Sequence, residues 1–206
     1  MATIKKFSGP GFRIDGIDKV IKGLEKSGAD VRKASENAIW ESGAFLEKQL
    51  KRKLSKQGTG RAYLSSMAGK RGLFSGDAGS KKERYNYHIG SVPGQPPALD
   101  TGRLRASITH NTTYKSGDTS DGTKLPNPGG NADRVKGFIG TNVIYGYFLE
   151  VGAMIWPYGN KKIGKRRLLP RPWFRSTIDE NSNKVLKLII KSLSRAFKAH
   201  TGSSFK

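Results

Sequence analysis

The stretch WFRSTIDENSNKVLKLIIKSLSRAFKA, residues 173–199, decides the fold class. At 100° per residue, one helical face carries its large apolar side chains, Leu186, Ile189, Ile190, Leu193 and Phe197. The opposite face carries its basic ones, Lys184, Lys187, Lys191, Arg195 and Lys198. This separation predicts an amphipathic helix over 173–199 whose apolar stripe packs on a sheet.

A second helical pattern covers residues 15–56. Asp15 is a plausible N-cap, Gly28 interrupts the pattern, and Gly58 is a suitable stop. Apolar residues recur at three- to four-residue spacing with gaps, at Ile17, Val20, Ile21, Leu24, Val31, Ala34, Ala38, Phe45, Leu50 and Leu54. The pattern predicts a long N-terminal helical region, bent near its middle.

The sequence between the two helical regions predicts strands and long loops. Residues 57–102 are rich in Gly, Ser and Pro without a sustained period, which indicates a long loop. Residues 104–115 and 134–141 read as two strands of one hairpin, and 153–170 as a further hairpin. Residues 145–151 form a short apolar run typical of a helical turn.

Together these patterns predict one α+β domain over residues 1–206. An antiparallel sheet region, 103–170, is flanked by the N-terminal helical region, 15–56, and the C-terminal helix, 173–199, with 57–102 as a long loop.

The chain is strongly basic, with a net charge of +22, and +20 of it falls in residues 48–84 and 161–206. Such a field attracts polyanions, so the candidate partners are nucleic acid and acidic protein surfaces, beside the simpler possibility of solvated basic faces.

Aromatic residues interleave with basic ones near Tyr63, Tyr85 and Trp156. This mixing can stack nucleic-acid bases, but packing of loops is the favoured interpretation. Candidate partner-facing bases outside the C-terminal helix are Lys161, Lys162, Lys165, Arg166 and Arg167.

No pattern typical of an enzyme is present in the sequence. It has no phosphate-binding glycine loop, no nucleophile elbow and no zinc-protease motif, and His88, His110 and His200 are far apart. Asp100 precedes Thr101 and Gly102 and reads as a turn residue. The sequence therefore predicts no catalytic, cofactor-binding or metal-binding residues. The absence of cysteine fits a reducing compartment, and neither a secretory signal nor a membrane span is expected.

Four segments in order resemble the HK97 gp10-like family of tailed-phage head–tail connector and tail-completion (neck) proteins. The longest of these segments is residues 92–108, VPGQPPALDTGRLRASI. Residues 60–63 (GRAY), 145–152 (YGYFLEVG) and 169–174 (LPRPWF) match further family segments, so the resemblance covers about residues 15–198. Residues 64–84 and 115–133 depart from the family as expanded loops.

The resemblance implies a structural virion protein, assembled in the host bacterial cytoplasm, whose copies form a ring, expected to be a hexamer, around the DNA channel at the neck. Its expected neighbours are connector or stopper, tail terminator and tail tube proteins, with nonspecific contact to packaged DNA. The alternative is a basic nucleic-acid-binding protein acting outside the virion. Glu150 is expected to be structural, paired if buried with a base such as Arg103 or Arg171. The family-motif residues expected to shape the fold are Pro97, Thr101, Gly102, Leu104, Ser107, Ile108, Tyr145, Glu150, Gly152, Arg171, Pro172 and Phe174.

Overall fold

A computed structural model of the chain describes residues 3–6, 12–15, 31–64, 87–117, 125, 135–156 and 164–201. Within these residues the helices are α1 (Val31–Lys53), α2 (Arg103–Ala106), α3 (Ile144–Val151) and α4 (Phe174–Thr201). The strands are β1 (Thr3–Lys6), β2 (Phe12–Asp15), β3 (Ala62–Leu64), β4 (Tyr87–Ile89), β5 (Ile108–Thr112), β6 (Gly137–Thr141), β7 (Ala153–Ile155) and β8 (Arg166–Leu168). Helices with small antiparallel sheets confirm the predicted α+β class.

Strands pair with their neighbours in sequence, which is the commonest arrangement for short connections. In the described part of the chain the sheets are two-stranded: β1–β2, β3–β4, β5–β6 and β7–β8. Each pair is antiparallel, with Ile108 opposite Thr141 in β5–β6 and Ala153 opposite Leu168 in β7–β8. The predicted antiparallel pairing is therefore present, but it is divided among small sheets and does not form one continuous layer there.

Several predicted elements are confirmed. The hairpin of 104–115 with 134–141 exists as β5–β6, and the hairpin within 153–170 exists as β7–β8. The helical turn at 145–151 is α3, and the C-terminal helix runs over Phe174–Thr201.

The start of the predicted strand 104–115 is wrong, because Arg103–Ala106 is the short helix α2. Gly102, at φ 77°, precedes it, and its carbonyl accepts the N–H of Ala106 at 2.8 Å. The Ser107 hydroxyl then donates to the Leu104 carbonyl at 2.9 Å, which closes the turn. Four residues of alternation cannot distinguish one helical turn from a strand.

Two further predicted regions are covered only in part by the described residues. Asp15 is the last residue of β2 and pairs with Thr3, and helix α1 covers Val31–Lys53, so the predicted start of the helical region at Asp15 stays a prediction. Residues 16–30, with the bend expected at Gly28, lie outside the described residues. The region 57–102 is not entirely loop, since β3 and β4 pair within it, and residues 65–86 also lie outside the described part.

The chain divides into two compact units. Unit 1 comprises Met1–Gln49, Ile108–Asn142 and Arg175–Lys206, and unit 2 comprises Leu50–Ser107 and Val143–Phe174. Each unit is built from separate stretches of sequence, so the prediction of a single domain stays a prediction.

The core of unit 1 is formed by one face of α1 against one face of α4. The α1 residues Ala34, Ala38 and Leu46 form one buried apolar cluster with Val185, Ile189 and Leu193 of α4. Phe45, Ile139, Ile178, Ala196 and Phe197 pack around this cluster and are partly buried. Small alanine side chains on α1 let the two helices approach closely, which favours dense packing.

A second face of α1 contacts β5, whose five residues are all buried although four are polar. The Glu36 carboxylate accepts the Thr112 hydroxyl at 3.3 Å, and the Glu47 carboxylate lies 2.6 Å from Nδ1 of His110. The Trp40 ring packs on the imidazole with centroids 4.4 Å apart. These contacts come from a single stripe at steps of four, three and four residues: Glu36, Trp40, Gly43 and Glu47.

Candidate interaction surface

Helix α3 turns its small and charged residues inward. Gly146 is buried, and Leu149 and Glu150, three and four residues later on the same face, are half-buried. The Glu150 carboxylate accepts the backbone N–H groups of Trp173 and Phe174 at 2.7 and 2.9 Å. Because the first N–H groups of a helix have no partner within it, a carboxylate at the start of α4 is stabilising.

Trp173 provides a second connection to α3. Its side chain is 2% exposed, and its indole N–H donates to the Gly146 carbonyl at 3.2 Å. The N–H of Arg171 donates to the Leu149 carbonyl at 2.7 Å. The segments 145–152 and 169–174, which the sequence analysis matched separately, are therefore joined directly.

The remaining two matched segments, 92–108 and 60–63, are connected to the same part of unit 2. The Gly94 N–H donates to the Pro170 carbonyl at 2.9 Å. The Arg171 guanidinium donates to the Ser91 carbonyl at 3.3 Å. The Gly60 N–H donates to the Gly90 carbonyl at 2.9 Å, which attaches segment 60–63. All four matched segments thus contribute to one hydrogen-bonded network inside unit 2, with only Ile108 in unit 1.

The carboxylate of Glu150 accepts backbone amides in this network, and the structural role expected for it stays a prediction. Arg171 directs its guanidinium to carbonyl oxygens, and Arg103 lies beside the phenol of Tyr145. A sequence offers no direct signal for a carboxylate bonded to main-chain N–H groups, since every residue except proline carries that donor.

Gly152 ends α3 in a backbone conformation that favours glycine. It has φ 81°, and its N–H donates to the Phe148 carbonyl at 2.9 Å. A Cβ at this position would lie 2.8 Å from the Leu168 carbonyl oxygen. The glycine therefore permits both the helix end and the close approach of the segment leading to Pro170.

A cleft of about 410 Å³ lies beside α3, lined by motif residues that include Pro97, Asp100, Arg103, Leu104 and Tyr145. Burial raises the pKa of the Tyr145 phenol above its ordinary value of 10.0, although the nearby Arg103 charge and a hydrogen bond with the Leu104 backbone act in the opposite direction. The phenol is accordingly a neutral group at physiological pH, suited to hydrogen bonding.

The other motif residues have mainly structural positions. Leu104, Ser107 and Ile108 are buried, and Ile108 is 0% exposed. The exposed Thr101 accepts the Arg103 N–H with its hydroxyl oxygen at 3.3 Å. The remaining two, Pro172 and Phe174, are half-buried, and the Phe174 ring meets Trp173 edge-on with centroids 5.5 Å apart.

The outward face of α3 is apolar, which the sequence analysis did not predict. Ile144, Tyr147, Phe148 and Val151 are 76, 63, 39 and 49% exposed. They follow the spacing i, i+3, i+4, i+7 of a single helical stripe. On β7 and directly after it, Met154, Ile155 and Trp156 are also exposed. We call these seven residues the α3 patch.

The basic residues singled out from the sequence are exposed where the structure describes them. Lys165, Arg166 and Arg167 lie at and beside β8, and Lys165 stacks over the Trp156 ring at 5.3 Å. The five basic residues of α4 that were singled out, from Lys184 to Lys198, are exposed in unit 1, where Arg195 pairs with Glu41 at 2.9 Å. Lys161 and Lys162 lie outside the described residues.

Among the described residues, no group of three or more His, Asp or Glu side chains could hold a metal ion. No helix in the described part is long and apolar enough to cross a membrane.

Comparison with protein-family models, with curated proteins and with solved structures finds no match for this chain.

Proposed function

We propose that this chain is a structural virion protein of a tailed bacteriophage that forms a ring at the head–tail neck around the DNA channel. The observation that carries the proposal is the convergence of the four family-like segments. They are separated by up to about a hundred residues, yet hydrogen bonds join segments 92–108 and 145–152 to segment 169–174. Gly60 of segment 60–63 bonds to Gly90, two residues before segment 92–108. Segments that specify one shared network are expected to vary together, so their joint presence is more informative than any single match.

The chemistry of this network suits a scaffold better than a catalyst. Glu150 is engaged with backbone amides, and the Trp173 indole is buried against a carbonyl. We therefore propose a non-enzymatic role, with copies closing into a ring, a hexamer by the family resemblance, between connector or stopper proteins and tail proteins. Assembly would take place in the host bacterial cytoplasm, and the mature location would be the virion neck. Contact with packaged DNA would be nonspecific.

The direct test is a phage that encodes this chain but carries an early stop codon in its gene. We expect filled heads and finished tails to accumulate separately, and purified wild-type protein added to the extract to restore joined, infectious particles. A Glu150→Ala protein should restore joining less well, whereas the control Glu41→Gln should act as the wild type. Normal yields of infectious particles without the chain would contradict the proposal.

The exposed basic stripe of α4 supports a second candidate, a nucleic-acid-binding protein acting outside the virion. Each neutralised phosphate contributes a slope of about −0.9 to the dependence of log K on log salt. Replacing Lys184, Lys187 and Lys191 with Gln would then reduce the slope by about 2.7 if all three contact phosphates. Under the neck proposal the change in slope is smaller than 1, and salt titration of DNA binding by both proteins distinguishes the two.

A further inference from the structure

The α3 patch reverses the usual amphipathic arrangement of a surface helix. Its inward face presents Gly146, Leu149 and Glu150, while Ile144 and Tyr147, among the most exposed apolar residues of the described chain, face solvent. A two-turn helix ordinarily buries its apolar stripe, because that burial supplies most of its stability. Here the inward face is held by hydrogen bonds from Trp173 and Phe174, so the apolar stripe is left available for another molecule.

The summed exposed area of the α3 patch is close to one side of a standard protein interface. The seven residues expose on the order of 800 Å² together, which is about what one partner contributes to a standard interface. Aromatic residues and methionine are enriched at interfaces, and the patch contains Tyr147, Phe148, Met154 and Trp156.

The charge distribution indicates what kind of molecule covers the patch. The chain carries +22, so nucleic acid or an acidic protein would be attracted by basic side chains. None of the seven patch residues is itself charged, and the neighbouring bases belong to β8, where Lys165 lies over Trp156 and Arg166 and Arg167 pair with Ile155 and Met154. Because two copies of a +22 chain repel each other, they can associate only where apolar contact outweighs the repulsion. An uncharged aromatic surface on a basic chain is therefore suited to a second copy.

We infer that the α3 patch is the subunit interface through which copies of this chain associate, an inference that rests on the proposed ring. In a closed ring the patch of one copy meets a different surface of the next, which is the heterologous type of contact. Salt screens the repulsion between copies, so association through the patch strengthens as salt rises, whereas binding to DNA weakens.

The association test compares Tyr147→Glu with a matched control. Ile190 is 38% exposed and lies on α4 in unit 1, so Ile190→Glu also places a carboxylate at an exposed apolar position, outside the patch. Sedimentation is measured for the wild type and both variants between about 0.05 and 0.5 M salt. Over this range the Debye length falls from above about 10 Å to well below it. We expect wild type and Ile190→Glu to form the same oligomer, more completely at high salt, and Tyr147→Glu to dissociate at least tenfold more readily. Circular dichroism should show both variants folded.

A second measurement uses the absence of cysteine from the chain, which makes single-cysteine variants unambiguous. Val151→Cys should react quickly with a maleimide reagent in the dilute monomer and at least tenfold more slowly in the oligomer. Protection at every concentration would mean that another segment of the same chain covers the patch, and would overturn the inference.

The outcomes separate this inference from the proposed function. A wild-type oligomer whose mass is unchanged in Tyr147→Glu overturns the patch as interface and leaves the neck ring standing. A wild-type protein that stays monomeric at all salt concentrations also overturns the inference, while the head–tail joining experiment still decides the neck role. Failure of that joining experiment, with self-association through the patch intact, rejects the neck role alone.

Discussion

Glu150 illustrates how one side chain can hold together distant parts of a sequence. Its carboxylate accepts two backbone N–H groups, at Trp173 and Phe174, where α4 begins. Replacing it with Ala leaves these donors without that acceptor, and we expect the free energy of unfolding to fall by about 1–3 kcal/mol. Glu150→Gln keeps a carbonyl oxygen and should cost less.

Urea denaturation of Glu150→Ala, Glu150→Gln and the wild type measures these differences. The control is Glu41→Gln, which removes an exposed ion pair with Arg195 and should change stability by less than about 1 kcal/mol. Equal stability of Glu150→Ala and the wild type would contradict the capping role.

At Gly43, the sign of the change in unfolding free energy on substitution by Ala tests how closely α1 contacts β5. In an exposed helix, Gly→Ala stabilises by about 0.5–1 kcal/mol, because glycine loses more backbone freedom on folding. At position 43 a Cβ would lie only 2.6 Å from Cδ2 of His110. We expect Gly43→Ala to destabilise the protein by about 1–3 kcal/mol through overpacking.

Thermal and urea unfolding of Gly43→Ala give this sign directly. Ala44→Gly, at the exposed neighbouring position, serves as the control and should show only the ordinary helix-propensity cost of about 1 kcal/mol. A stabilised Gly43→Ala protein would show that α1 does not contact β5 as closely as described.

Tyr145 should respond to alkaline pH. Burial raises the pKa of its phenol above 10.0 in the folded state, so above that pH the unfolded chain loses this proton first. Stability from this residue is therefore complete below pH 10 and falls as pH rises further. Ultraviolet titration of the wild type minus Tyr145→Phe should show a phenol that ionises later than free tyrosine; an ordinary midpoint would contradict the partial burial of this ring.

The residue roles were only partly predictable from sequence. A lone acid in an apolar segment marked Glu150 as a residue that needs a partner, but its backbone partners could not be predicted, because they depend on how chain segments fold together. The stripe Glu36, Trp40, Gly43 and Glu47 could have been found from its helical spacing. The partners of its acids could not be found in this way, since nothing in the sequence near β5 identifies His110 and Thr112 as those partners.

At the scale of elements, α4 shows that periodicity predicts a helix better than it predicts which of its residues are buried. The sequence assigned both Ile190 and Leu193 to the apolar face. In the structure Leu193 is 2% exposed inside the core cluster, whereas Ile190 is 38% exposed. The buried stripe is rotated towards Val185, a residue that the sequence analysis did not include.

This rotation predicts unequal costs for two similar substitutions. Leu193→Ala should destabilise the protein by about 2–5 kcal/mol, as expected for a filled core position. Ile190→Ala should cost about 1 kcal/mol or less, because little apolar surface returns to water. Equal losses in chemical denaturation would support the face predicted from sequence and contradict the described core.

Short elements were the least predictable. The hairpin of β1 and β2 could have been inferred from Phe12, Arg13 and Ile14, which alternate after the Gly9–Gly11 turn signal. The helical pattern predicted for residues 15–56 overlaps this short alternation at Asp15, the last residue of β2. Helix α2 has four residues, too few for any period to be counted.

At the scale of the whole molecule, charge and apolar surface point to different partners. The exposed basic stripe of α4 lies in unit 1, and the uncharged α3 patch lies in unit 2. A ring protein around DNA needs both kinds of surface, one compatible with a polyanion and one that holds its copies together. The composition predicted the first, while the second became visible only when the structure showed which face of α3 is exposed.

The most direct test of the neck account is electron microscopy of purified tailed particles in which this chain carries a density label after Lys206. The account predicts a label that forms a six-fold ring at the joint between head and tail, in particles that remain infectious. A label that is absent from the particles, or placed on the capsid surface or the distal tail, would contradict it.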